Sequence, residues 1–136
     1  MEHLIVAASA ARKNAYCPYS GYAVGAAIED ADGNIWTGAN LENASYGLTI
    51  CAERAAIATM ASAGERRIRR VVVATENGGP PCGMCLQTML EFAPQPDAVE
   101  VGLVSASGEL SIFTLQDLIP FGFRPDDLNR TEPPVR

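Results

Sequence analysis

The spacing of apolar residues changes several times along the chain, and each change predicts an element. Leu4, Ile5, Ala8 and Ala11 fall near helical spacing within residues 3–15, and the Pro and Gly of "CPYSGY" end that helix. "YAVGAAIED" then alternates loosely, "ADGN" carries an Asp-Gly turn signal and "IWTGANLEN" returns, which predicts a β-hairpin. From Thr49, a candidate N-cap, Ile50, Ile57, Met60 and Ala61 mark one apolar stripe that predicts a second helix up to Gly64. The valine run of "RRVVVATEN", bounded by "NGGPP", predicts a parallel strand covered on both faces. A third helix is predicted from Pro81, a favoured first helical position, through Cys82, Cys85, Met89 and Phe92. "AVEVGLVSA" and "LSIFTL" predict two more strands around an "SGE" turn, and "TLQDLIP" a short closing helix.

Strands that alternate with helices after an opening hairpin predict an α/β fold, a single-domain α/β/α sandwich with a mixed sheet of about five strands and helices on both faces. A length of 136 residues suits one domain over 1–136 and is enough to bury a core without disulfides. The N-terminal apolar patch is only a few residues long and is preceded by Glu2 and His3, so no signal peptide, transit peptide or membrane span is read there. The expected compartment is the cytoplasm, where thiols stay reduced and a CxxC pair points to metal binding or catalysis ahead of a disulfide.

Charge narrows the partners. The net charge is −6, and the only basic cluster is Arg66, Arg67, Arg69 and Arg70, which reads as a solvated helix-to-strand turn. A polynucleotide ligand would call for a positive stripe, so neither nucleic acid nor membrane is an expected partner.

Both cysteine motifs, "TICAERAAI" and "PPCGMCLQTML", are predicted at helix N-termini, with Cys51 in one first turn and Cys82 and Cys85 in another. Unpaired N–H groups and the positive end of the helix dipole favour thiolates there. The i, i+3 spacing lets Cys82 and Cys85 point the same way, so three sulfurs can converge between two helix ends. The only histidine, His3, is remote and Cys17 lies in a Pro/Gly loop, so the ligand count stops at three. Zinc held by three protein ligands keeps a position for water, and Glu53 stands beside the first ligand. The CxE and PCxxC pair matches the zinc-deaminase signature with Cys in place of the first His. A closed structural zinc site is the competing reading.

On "CPYSGYAVGAAI", "TGANLENASYGLTICAERAAI", "PPCGMCLQTMLEF" and "LIPFGFRPDDL", the chain resembles the small, homotetrameric-type, zinc-dependent cytidine deaminases over nearly its full length. The resemblance implies one zinc ion per subunit held by Cys51, Cys82 and Cys85, with Glu53 as the catalytic proton shuttle. The implied reaction is hydrolytic deamination of cytidine or 2′-deoxycytidine to uridine or 2′-deoxyuridine plus ammonia, a step of pyrimidine salvage. Arg54 is implied to offset the charge of three thiolates by hydrogen-bonding the sulfurs. Asn40 and Glu42 are implied to contact ribose, and a carboxylate there would repel a nucleotide phosphate. Tyr22 and Phe123 would pack on the base or sugar, and the backbone of Ala52 would read the base edge. Ala44, Tyr46 and Phe123 are implied to reach a neighbouring subunit's site, which makes a homotetramer, or a dimer, a condition of activity.

The chain departs from the family pattern at four places. Leu86 stands where the family usually has arginine, Met84 replaces a smaller residue or arginine, and Tyr22 and Ala23 replace a usual Phe-Pro. These changes keep a different aminated nucleoside or base open as substrate. Outside enzymes, the alternative is a non-catalytic, zinc-stabilised binding module, which a fourth protein ligand would favour.

Overall fold

The computed structural model describes residues 1–129 and 131–133. Its chain order is helix α1 (Glu2–Arg12), strands β1 (Gly25–Asp30) and β2 (Ile35–Ala39), helix α2 (Ala52–Ser62), strand β3 (Ile68–Ala74), helix α3 (Gly83–Glu91), strands β4 (Glu100–Val104) and β5 (Leu110–Thr114), and the short helix α4 (Leu115–Leu118). The five strands form one sheet in the order β2-β1-β3-β4-β5. Every neighbouring pair is antiparallel except β3 and β4. The mixed five-stranded sheet expected from the sequence is therefore present. No described helix is long and apolar enough to cross a membrane.

Alternation along the central strands assigns the two faces of the sheet. Ala27, Val72, Ala74 and Val104 pack under α1 through Leu4 and Ala8. Ala26, Ile28, Val71, Val73, Val101 and Leu103 face the other way, onto Ala56, Ile57 and Met60 of α2 and Cys85, Met89 and Leu90 of α3. Burial on both faces explains why β1 and β3 read as near-continuous apolar runs. The expectation of a parallel β3 holds on one side only, since β1 arrives beside it through the hairpin and so runs antiparallel.

Asp30 closes that hairpin. It is fully buried and accepts from the indole N–H of Trp36 at 2.8 Å and from the amides of Asp32 and Asn34 at 2.9 and 3.0 Å. Burial raises its pKa, but these donors outweigh burial and hold the carboxyl below its usual value. The Asp-Gly signal is realised with Gly33 at φ 87°, a left-handed conformation suited to glycine. The arginine cluster is engaged locally: Arg66 donates to the Ala61 carbonyl, and Arg69 and Arg70 pair with the buried Glu29.

Two helix starts differ from the expectation, both in the same way. The N-cap of α2 is Cys51, not Thr49, and the N-cap of α3 is Cys82, with Pro81 lying before the helix. Thr49 instead ends a 3-10 turn over Tyr46–Leu48. Sequence rules favour oxygen-bearing caps, and here a sulfur occupies that position at both helices.

Gly38 of β2 lets α2 lie directly on the hairpin: a Cβ there would meet the Ala52 carbonyl at 2.5 Å and the Ala56 amide at 2.6 Å. Gly38→Ala should lower stability by about 1–3 kcal/mol in urea unfolding, because backbone must move to admit the methyl. Gly47→Ala, at a position with nothing within 4 Å of the added Cβ, should stay within about 0.5 kcal/mol of the parent.

Candidate metal and active site

Cys51 and Cys82 have extended backbones at the helix starts, with ψ of 153° and 167°, and neither side chain caps its own helix. Their sulfurs turn to each other instead, 3.8 Å apart. Cys85, in the first turn of α3 and fully buried, lies 3.4 Å from Cys82. All three sulfurs fall within 4.8 Å of one another. Ligands about 2.3 Å from a tetrahedral zinc lie about 3.8 Å apart, so this triangle fits the ion with little rearrangement. Cys17 is outside the cluster, and His3 lies 3.6 Å from Glu29. Among the described residues the group contains no fourth histidine, cysteine or carboxylate ligand.

Glu53 is 4% exposed, and its Oε2 accepts from the Cys85 thiol at 3.4 Å. Burial raises its pKa, outweighing its own N–H and the Cys85 thiol, which pull it down. A carboxyl so placed takes up and gives back a proton nearer neutrality than an exposed glutamate does.

Cys51 and Cys85 differ in proton affinity. Hydrogen bonding from Cys85 is the main cause that lowers Cys51 to about 5, against burial, with Cys82 and Arg54 adding to it. Cys85 is pushed upward by the same contact, by burial and by the Glu53 charge. The Arg54 guanidinium donates to the Thr49 carbonyl at 3.0 Å and also reaches Cys51.

A cavity of about 270 Å³ opens in front of this group. Of the residues singled out in the sequence, it brings together Tyr22, Asn40, Glu42, Cys51, Ala52, Glu53 and Cys82. The amide of Asn40 is already engaged at both ends: Oδ1 accepts from the Val24 amide at 2.9 Å and Nδ2 donates to the Tyr22 carbonyl at 2.8 Å. It therefore shapes the wall as well as lining it. Glu42 accepts from the amides of Tyr19 and Ser20 at 2.9 and 3.1 Å and from the Ser20 hydroxyl. The Ser20 hydroxyl is the main cause that depresses its pKa, so this carboxylate is ionised at neutral pH. Three donors leave one of its roughly four lone-pair sites for a ligand.

Ala44, Tyr46 and Phe123 do not line this cavity. Ala44 is exposed. Tyr46 is 75% exposed and stacks edge-to-face on Tyr19 beside an adjoining hollow shared with Glu42. Phe123 is 57% exposed, and its carbonyl accepts from Gln87 at 2.7 Å. Sequence reasoning missed Ser20, Thr75 and Pro80, which also line the cavity. Thr75 follows the last residue of β3, and the carboxyl end of a parallel strand beside a helix start is where α/β folds place ligands; that signal was available.

The model of the cytidine and deoxycytidylate deaminase zinc-binding region matches residues 1–101, which include all three cysteines and Glu53. A cytidine deaminase of Halalkalibacterium halodurans is 43% identical over 128 residues, covering 93% of this chain and 96% of its own. One from Mycobacterium tuberculosis is 38% identical over 125 residues, covering 90% and 89%. The crystal structure of a cytidine deaminase from Burkholderia pseudomallei superposes with a TM-score of 0.83 at 44% identity, covering 90% of this chain and 98% of that one. With three thiols at zinc-ligand spacing beside a buried glutamate, the chain belongs to the zinc-binding cytidine deaminase family of hydrolytic deaminases.

Proposed function

We propose that this protein deaminates cytidine and 2′-deoxycytidine to uridine and 2′-deoxyuridine with release of ammonia, as a step of pyrimidine salvage, and that it does so as a cytoplasmic homotetramer. The observation that carries this reading is the contact of buried Glu53 with Cys85, which sets one carboxyl against the three-thiol cluster at the floor of a small cavity. The names of the relatives support cytidine as substrate. A cavity of about 270 Å³ lies just below the roughly 300–1,000 Å³ of pockets for drug-sized molecules, which suits one nucleoside better than a polynucleotide chain. The ionised Glu42 at its wall repels a phosphate, which favours the nucleoside over its monophosphate.

Cys51, Cys82 and Cys85 would hold the zinc, with Arg54 offsetting the excess of thiolate charge. Zinc, when bound, would supply a water-derived nucleophile at neutral pH. Glu53 would accept a proton from the water that adds to C4 and deliver it to N3 of the cytosine ring, then pass the remaining proton of the added hydroxyl to the amino group, which leaves C4 as ammonia. The Ala52 amide, in the first turn of α2, is free of intrahelical bonding and reads the base edge. Tyr22 packs on the ring or sugar, and Glu42, with Asn40 holding the wall, accepts from ribose. The three donors on Glu42 and the two bonds of Asn40 preorganise this side before substrate arrives. Ala44, Tyr46 and Phe123, outside the cavity of their own subunit, complete that of a neighbour. A different aminated nucleoside has no specific observation in its favour, and the cysteine group, which among the described residues has no fourth histidine, cysteine or carboxylate, favours an open zinc site over a closed structural one.

Glu53→Gln should retain one zinc per chain by metal analysis yet lower the rate of cytidine's ultraviolet absorbance loss by about two to four orders of magnitude. Zinc retention together with near-parental turnover would remove Glu53 from the mechanism. In metal-free protein, the ultraviolet absorbance of a Cys51 thiolate should develop as pH rises through about 5. Because that value lies below the ordinary thiol pKa of 9.0, the stabilising contribution is complete above about 9 and is lost as pH falls through about 5. A shared site predicts that mixing inactive Glu53→Ala and Phe123→Ala proteins, with subunit exchange, restores measurable turnover. No recovery in exchanged oligomers, or an active monomer by light scattering, would exclude sharing.

A further inference from the structure

Tyr22 is held at both ends of the residue. Its amide donates to the Ser20 hydroxyl at 3.0 Å, and its carbonyl accepts from Asn40. Tyr22 lines the cavity, and its phenol donates to Oδ1 of Asn77 at 2.8 Å, a contact between positions 55 apart in sequence. That oxygen also accepts from the Gly79 amide at 3.1 Å, while the Thr75 hydroxyl accepts from the same amide at 2.9 Å. The Gly79 amide can only donate, which identifies the Asn77 atom as the carbonyl oxygen and makes the phenol the donor. The site is also tight: a Cβ on Gly79 would lie 2.8 Å from the Tyr22 hydroxyl.

The segment so held leads directly to the metal cluster. Thr75 and Asn77 are fixed to the exit of β4, through the Thr75 amide on the Val104 carbonyl at 3.1 Å and a bridge to Ser105. Gly78 follows at φ 70° and then Gly79, the most permissive backbone in the segment. Pro80 and Pro81 come next, stiff residues that end at Cys82. Pro80 and Tyr22 both line the cavity. A bond at Asn77 and Gly79 therefore sets where the stiff Pro-Pro pair, and with it one side of the cavity, stands relative to Tyr22. Phenylalanine could supply the same ring but not this bond.

We infer that the Tyr22 hydroxyl, through Asn77, is a latch that positions the 77–80 segment against the nucleoside, so that substrate binding depends on it more than turnover does. Asn77 is a positioning residue in this scheme. The inference rests on the nucleoside-deaminase reading above. Tyr22→Phe should raise KM for cytidine about two- to tenfold, the worth of one hydrogen bond, with kcat changed less than about twofold. Amide hydrogen exchange across residues 77–82 of the zinc-loaded, substrate-free protein should quicken in the same variant. In an Asn77→Ala background, Tyr22→Phe should change neither quantity further, since the partner is already gone. A Tyr22→Phe protein with unaltered KM or unaltered exchange would overturn the latch, as would an equal effect in both backgrounds. Exchange needs no substrate, so wild-type protein that turns over no cytidine, a failure of the proposed function, is distinguishable from a latch that does not exist.

Discussion

The structure depends on two helices whose N-caps are cysteines that do not cap. At Cys51 and Cys82 the backbone turns from extended into helix, and the side chain that would ordinarily accept from the first turn points across to the other helix. Unsatisfied N–H groups and the positive dipole ends of α2 and α3 are thereby gathered around three sulfurs. The sheet makes this meeting possible: α2 lies on the hairpin through Gly38, and α3 follows β3 after a stiff Pro-Pro pair. A three-sulfur cluster with Arg54 beside it suits a soft divalent cation.

The same arrangement separates the work of neighbouring residues. Cys51 is half-buried and faces the cavity, Ala52 presents backbone, and Glu53 is buried against Cys85 with its proton affinity raised. In the proposed reading these three consecutive residues serve as a ligand, a base-edge reader and a proton carrier, because extended backbone at the cap and helical backbone after it aim successive side chains differently. Elsewhere in the cavity lining, the hydrogen bonds of Asn40, Glu42 and Tyr22 hold polar groups in place before any ligand is present, which reduces the ordering cost of binding.

Much of this was legible in the residues. The hairpin followed from Asp32-Gly33, the buried central strand from Val71, Val72 and Val73, and the metal cluster from the spacing of Cys51, Cys82 and Cys85. What misled was local rule against tertiary demand. Thr49 and Pro81 are good helix-start residues by propensity, but the sulfurs must converge, and that moved both caps to cysteine. Strand direction was half right, since an apolar run around Val72 does not reveal that the β1 beside it arrives through a hairpin. The prior use of Asn40 and Glu42 by their own chain, and the role of Asn77, were hidden because each depends on partners distant in sequence. Ala44, Tyr46 and Phe123 are implied by family resemblance alone, and within one chain they do not line the cavity.

In the proposed reading Cys51, Cys82 and Cys85 are the protein ligands of a zinc ion beside Glu53, and among the described residues no fourth joins them. X-ray absorption at the zinc edge of the purified protein tests it most directly. The expected spectrum contains three sulfur neighbours at about 2.3 Å and one lighter donor at about 2.0 Å. A shell of four sulfurs, which would require Cys17 to join the cluster, would mark a closed structural site and contradict the catalytic account.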